Sequence, residues 1–209
     1  NNLRSTLNNT SKKISELGDK AKVVGSAVGK LGKGLAIAGT AAATAVGTMV
    51  AKSVSSFADY EQLTGGVDTL FKDSSAAVQK YANDAYKTAG LSANSYMETV
   101  TNFSASLISS LKGDTAKAAD YANSALVDMA DNANKMGTNM TDIQNAYQGF
   151  AKQNYTMLDN LKLGYGGTQA EMKRLLSDAQ KLTGQKYDIS SFADITQAIH
   201  AIQTQMDIT

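Results

Sequence analysis

From Leu3 the apolar positions step by four and three: Leu3, Leu7, Thr10, Ile14, Leu17, Ala21, Val24, Val28, Leu31 and Leu35, with Thr10 the polar exception. The register runs on through Ala38, Ala42, Ala45 and Met49 and stops at Lys52. Sustained 3-4 spacing keeps one stripe of a helix turned toward a partner, so it predicts the seam of a coiled coil or bundle within residues 1–56. From Ala21 the residues around the seam shrink, and Gly25, Gly29, Gly32, Gly34, Gly39 and Gly47 fall among them. A glycine inside a helix costs about 1 kcal/mol relative to alanine. Such a helix needs compensation from close helix–helix approach, a confining tube or lipid. Gly25 and Gly29 have the small-xxx-small spacing that permits close approach. Between Lys33 and Lys52 there is no charge, a length near the ~20 residues that span a bilayer. The run Leu35–Val50 is mostly Ala, Gly and Thr. Two readings stand: a tightly packed Ala-rich bundle, and a segment that enters a membrane conditionally.

From Phe57 to Thr209 the pattern changes to short helices with clear punctuation. Phe57–Thr64 reads as helix, interrupted by Gly65-Gly66. Ser74 or Ser75 is placed to cap a helix bearing Val78, Tyr81, Ala82, Ala85 and Tyr86, ended by Gly90. Ser92 opens the next, with Tyr96, Val100, Phe103, Leu107 and Leu111 on one face and Gly113 at its end. Asp114 opens a third, with Ala118, Ala122, Leu126, Met129 and Ala133 inward and Gly137 closing it. Thr141 and Gln144 form a capping-box pattern before Ile143, Ala146, Tyr147 and Phe150. Thr168 and Glu171 form another, before Met172, Leu175, Leu176, Ala179 and Leu182, with Gly184 as the stop. Ser191 and Asp194 open the last helix, with Ile195, Ala198, Ile199, Ile202 and Met206 inward. Between Lys152 and Gly167 the period is lost, which predicts an irregular loop. The expected fold is all-α: a long Gly/Ala-rich N-terminal helix with coiled-coil-like spacing, then a multi-helix bundle of short helices.

Composition agrees with helix. There is no proline among 209 residues, where roughly ten would be average, and proline breaks helix interiors. The net charge of +1 gives no global field toward nucleic acid. Without cysteine there is neither a disulfide nor a thiolate metal site, and the redox compartment stays open. The chain opens on Asn1 and carries nothing that reads as a secretion signal, so it is read as a segment of a longer one.

Three stretches carry a resemblance: Asp128-Met-Ala-Asp-Asn-Ala-Asn-Lys-Met-Gly137, Ile143-Gln-Asn-Ala-Tyr-Gln-Gly-Phe-Ala-Lys-Gln-Asn-Tyr-Thr-Met-Leu-Asp-Asn-Leu-Lys-Leu-Gly-Tyr-Gly-Gly167, and Ala198-Ile-His-Ala-Ile-Gln203. With Glu171-Met172 and Arg174-Leu-Leu176 between the second and third, they resemble the tail tape measure proteins of long-tailed phages and prophages of Gram-positive bacteria. The likeness runs from about Phe57 to the end. The family motif falls here on Asp128, Met129, Asp131, Asn132, Gly137, Tyr147, Gly149, Phe150, Asn154, Tyr155, Asp159, Asn160, Gly164, Tyr165, Gly166 and Gly167. The resemblance implies a structural virion protein inside the tail tube or tail tip. Its length would set tail length, and it would leave ahead of the DNA to help it cross the host envelope. It implies as partners other copies of the chain, about three sharing one helical seam, the tail tube and tip or baseplate proteins, and the host membrane on ejection. It also implies that the family continues past Thr209, so the present segment is a folded head or anchor of the ruler.

The sequence carries no nucleophile elbow, metal-binding helix motif or catalytic cysteine. His200 lies beside the apolar face of Ile195, Ile199 and Ile202, and without a second histidine or a cysteine it argues against zinc; it reads as a boundary or surface residue. Asp120, Asp128 and Asp131 sit on a predicted helix, not on a calcium-binding turn, and read as solvated carboxylates or partners of Lys117 and Lys135. Gly164-Tyr-Gly-Gly167 lacks the Gly-Lys-Ser/Thr ending of a phosphate loop and reads as a turn needing positive φ. Glu61, Glu98 and Glu171 lack any supporting hydrolase motif. Tyr81, Tyr86, Tyr96, Tyr121, Tyr147 and Tyr155 fall beside alanines at helical spacing and read as packing residues. No enzyme activity, metal, cofactor or specific nucleic acid sequence is expected. The competing functions are a membrane-active or pore-forming helical effector, which the uncharged run favours, and a generic helical scaffold.

Overall fold

The computed structural model describes residues 58–209. The seam residues Leu3, Leu7, Ile14, Leu17, Val24, Val28, Leu31 and Leu35, and the uncharged run to Val50, lie outside the described residues.

The described chain is all-α and contains no strand. A lead helix covers residues 58–71. After a 3-10 turn at Lys72–Ser74 come α1 (Ser75–Thr88), α2 (Ala93–Ser110), α3 (Thr115–Met136) and α4 (Met140–Ala151). A 3-10 turn at Leu158–Leu161 then precedes α5 (Gln169–Thr183) and α6 (Phe192–Gln205). Among the described residues no helix is long and apolar enough to cross a membrane.

The helix starts follow their caps. Ser92, Asp114, Asn139, Thr168 and Ser191 each accept a hydrogen bond from a backbone N–H of the first turn, satisfying a donor that has no partner within the helix. Gly137 and Gly184 end α3 and α5 in the left-handed region, where a side chain would be strained. The long helix α3 is the hub, packed by α1, α2, α4 and α6, while α5 packs chiefly on α6. Val78, Ala82, Val100, Phe103, Leu107, Ala118, Ala122, Leu126, Met129, Ile143, Met172, Leu175 and Ile199 share one continuous core. Each fully buried large side chain among them contributes about 1.5–3 kcal/mol. Phe103 of α2 meets Phe192 of α6 edge to face at 5.8 Å, joining the middle of the chain to its last helix.

Several expectations are corrected by packing. Gly65-Gly66 does not interrupt the lead helix, which continues to residue 71 because Val67 and Phe71 beyond the glycines are fully buried. A Cβ on Gly66 would stand 3.8 Å from Thr101 Cγ2, so the small residue sits where α2 comes close. Thr141 and Gln144 do not form a capping box. Asn139 caps α4 instead, and Gln144 Nε2 donates to Thr99 Oγ1 of α2 at 3.0 Å. Ser74 precedes α1 without a capping hydrogen bond, its hydroxyl lying 3.0 Å from Thr115 Oγ1. Tyr86 is 80% exposed rather than inward, because α1 presents only its Val78–Ala82–Ala85 edge to the core. Leu182 and Met206 are also exposed. Leu182 sits in the last turn of α5 and Met206 just past the end of α6, where they line an open apolar groove of about 340 Å³ with Leu163, Tyr165 and Ile202.

Candidate functional site

The motif residues gather where the end of α3, α4, the 152–167 connection and the two last helices meet. The connection is not structureless. It holds the 3-10 turn Leu158–Leu161 and buries Tyr155, Leu158, Leu161, Leu163 and Tyr165. Its aperiodic spacing in the sequence reflects side chains that enter the core from a winding backbone, with no single face to follow.

Three anchors hold it. Asn132, buried on α3, donates from Nδ2 to the Leu161 carbonyl at 2.9 Å. Lys162 Nζ donates to the Met136 and Gly137 carbonyls at 3.2 Å each, meeting the negative end of α3. Tyr155 OH donates to the Ile189 carbonyl at 2.9 Å, tying the connection to the approach to α6. The Phe150 ring stacks on Tyr155 at 6.4 Å and lies 5.8 Å from Tyr147. The Asn154 side chain accepts from Thr156 N and Oγ1, closing a local turn.

The glycines of the motif divide between conformation, at Gly137 and Gly164, and space, at Gly149 and Gly167. Of Gly164, Gly166 and Gly167, only Gly164 has positive φ, so the expected turn is confined to that residue. Gly167 lies against the Thr156 backbone carbonyl, which a Cβ would overlap. Gly149 likewise faces the Asn154 carbonyl, 3.0 Å from where its Cβ would stand. Asp159, exposed, and Asn160, half-buried, sit on the 3-10 turn.

Past Gly164 the second anchor region begins. Arg174 Nη2 donates to the Gly164 carbonyl at 2.7 Å and to Glu171 at 2.6 Å, and its guanidinium lies 4.3 Å from the Tyr165 ring centre. Tyr165 OH donates to Asp178 at 3.2 Å. Thr168 caps α5 as its sequence suggests, but Glu171 does not close the box on Thr168. It accepts from Gly166 N at 3.1 Å instead. Arg174, through its hydrogen bond, and then the Gly166 N–H hold the Glu171 carboxyl below the usual range. Neither Arg174 nor Lys162 is marked for these roles by a capping or catalytic motif. The 171/174 pair is legible as i, i+3 spacing, whereas Lys162 has no local signal.

Beside the connection lies a buried polar layer. Asp128 is 1% exposed and takes His200 Nδ1 on both carboxylate oxygens, at 2.9 and 3.1 Å. This corrects the expectation of a solvated carboxylate or a lysine partner. Asp131 is the acid near Lys135, and Lys117 lies over the Tyr121 ring at 5.2 Å. Asp120 accepts from Tyr81 OH at 2.8 Å. Burial, aided by the Asp128 charge, pushes the Tyr147 hydroxyl well up, so it stays neutral. Lys135 Nζ donates to the Asp207 carbonyl at 2.6 Å. The pairs 128 with 200 and 135 with 207 have one offset, so α3 and α6 run parallel and Asn132 and Gln203 share a level between them. Asn132 Oδ1, Tyr147 OH and both polar atoms of Gln203 are buried with no protein partner.

The Gln203 side chain thus gains no hydrogen bond from another protein group. Gln203→Met is expected to be neutral or stabilising by about 1 kcal/mol in urea unfolding. A loss above about 1 kcal/mol would mean that the amide is hydrogen-bonded in solution and structurally required.

Among the described residues no three or more His, Cys, Asp or Glu side chains are grouped to hold a metal ion. A groove of about 490 Å³ between α5 and residues 186–194 has Lys173, Gln180, Lys186 and Asp188 along it. Comparison with family models, curated proteins and solved structures finds no match.

Proposed function

We propose that this chain is a folded, non-enzymatic head or anchor segment of a phage tail tape measure protein, a structural component of the virion tail. The observation that carries the reading is the joining of the three resembling stretches. Asp128 in the first meets His200 in the third, and Asn132 in the first holds Leu161 in the second. Tyr155 of the second stretch is tied to Ile189 on the approach to the third. Stretches that lie far apart in the chain thus specify one structure, which fits a compact head better than an extended ruler. The ruler itself would be a longer helical part of the same protein. The 3-4 seam beginning at Leu3 fits several chains sharing one bore, so further copies of the chain are the first proposed partners. Tail tube and tip proteins are the next, and the host membrane follows on ejection.

The test is tail length by electron microscopy in the phage that encodes the protein. A helical stretch is deleted downstream of this segment in the full-length gene. Tails should shorten by about 1.5 Å per deleted residue. Tails of unchanged length would overturn the ruler reading and put a membrane-active helical effector, suggested by the uncharged 34–51 run, in first place.

A further inference from the structure

We propose that the Asp128–His200 pair is a pH-responsive latch between α3 and α6, one that grips more firmly as its surroundings acidify through the neutral range. The inference does not depend on the tape measure reading.

The geometry is specific. His200 is the single histidine of the chain, and its Nδ1 spans both oxygens of a carboxylate that is 1% exposed. Among the described residues no lysine or arginine forms an ion pair with Asp128. A buried carboxylate whose neutralisation rests on one imidazole makes the helix contact sensitive to a single proton. The His200 side chain is about half exposed, 46%, so that proton exchanges with solvent without unfolding.

Among the described residues the packed elements supply no ion-pair partner for Asp128 in its place: on α5, Arg174 and Lys181 pair with Glu171 and Asp178, and α2 carries Glu98 as its one charged residue. On α3, Asp131 lies one turn on and raises the Asp128 carboxyl further, while Lys135 lies near Asp131 and donates to the Asp207 carbonyl. On α4 the facing group is the buried, neutral Tyr147. In the connection, Lys162 is committed to the end of α3. On α6, Asp194 is at the far end, where its carboxylate accepts from Asp188 N.

The direction follows from linkage. The hydrogen bond to Asp128 raises His200 above its ordinary value, against the opposing effect of partial burial. Burial raises the Asp128 carboxyl more than the His200 contact lowers it. Both groups thus hold protons more firmly when folded, so stability falls as pH rises. The His200 contribution is fully present below about 6.5, the unfolded histidine value, and is lost as pH rises through the raised folded value. Because α5 packs chiefly on α6, loosening this contact is expected to loosen α5 together with α6.

The test is an NMR titration of the imidazole in the full chain, where a single histidine gives one set of ring signals. The midpoint should lie above about 6.5 in the wild type and fall to that value or below in Asp128→Asn, which keeps the shape. Amide protection in α6, corrected for intrinsic exchange, should decline from about pH 6 to about pH 8 in the wild type. In the double variant Asp128→Asn, His200→Gln, which keeps neither titrating group of the pair, it should not vary with pH over that range. A wild-type midpoint at or below the ordinary value, an Asp128→Asn midpoint that does not move, or wild-type α6 protection that is equal at both pH values overturns the latch.

Discussion

Leu161→Ala is expected to cost the folded domain about 2–5 kcal/mol, the range for emptying a fully buried leucine site. Leu161 is completely buried on the 3-10 turn, and its own carbonyl receives the Asn132 amide. The side chain and the backbone are therefore held at one residue. The surrounding connection has little freedom to collapse into the space left behind. Lys162 fixes it to the end of α3, and Tyr155 fixes it to Ile189. Cavity cost is highest where neighbours cannot relax, which places this site in the upper part of the range. Urea unfolding checks the value, with exposed Lys152→Ala as a control expected within about 0.5 kcal/mol of wild type. A loss below about 1 kcal/mol at Leu161 would show that the connection is not part of the cooperative core.

Gly167→Ala is the second large effect, expected at about 1–3 kcal/mol and reaching the upper end or beyond. The added methyl would overlap the Thr156 carbonyl, and a backbone atom cannot swing aside as the tip of a long side chain can. Gly167 does not have positive φ, so the whole penalty comes from space. Gly164 offers the opposite case. Its φ is +82° and a Cβ there would meet nothing within 4 Å, so Gly164→Ala carries only the left-handed backbone cost of about 1–2 kcal/mol. The ranking of the two variants in thermal or urea unfolding is the measurement. If Gly164→Ala proves the more damaging, residue 167 does not pack on Thr156 and the two halves of the connection stand apart.

Much of the bundle is legible in the sequence because its determinants are local. Ser92, Asp114, Thr168 and Ser191 cap where a polar residue precedes an apolar period, and Gly137 and Gly184 stop their helices by allowing a left-handed backbone. Ile143, Ala146, Tyr147 and Phe150 are buried in the order that helical spacing predicts. The errors arise where tertiary contact outbids a local pattern. Gly65-Gly66 looks like a stop until Val67 and Phe71 are seen to need burial beyond it. Gln144 looks like a capping partner until α2 offers it Thr99. Tyr86, Leu182 and Met206 keep helical register with core residues, but no neighbouring helix covers the side they occupy.

The candidate site was legible in part as a set of residues, without the Lys162 and Arg174 anchors, and not as an arrangement. Its letters stand in three separated stretches, and nothing local in Asp128 points to a histidine 72 positions away. The Lys152–Gly167 segment shows why. It follows neither a 3.6 nor a 2.0 period, because its buried residues are positioned by outside anchors at Asn132, Met136 and Ile189.

By itself the sequence determined the helical class, the places where most helices begin and end, and most of the inward face of each, since these depend on backbone propensity, capping and periodicity within a few residues. Only the tertiary structure decided that α3 is the hub, that the aperiodic connection is part of the core, and that Asp128 is buried against His200. Those outcomes depend on contacts between residues far apart in the chain, and the energy of such a contact exists only once the helices have packed.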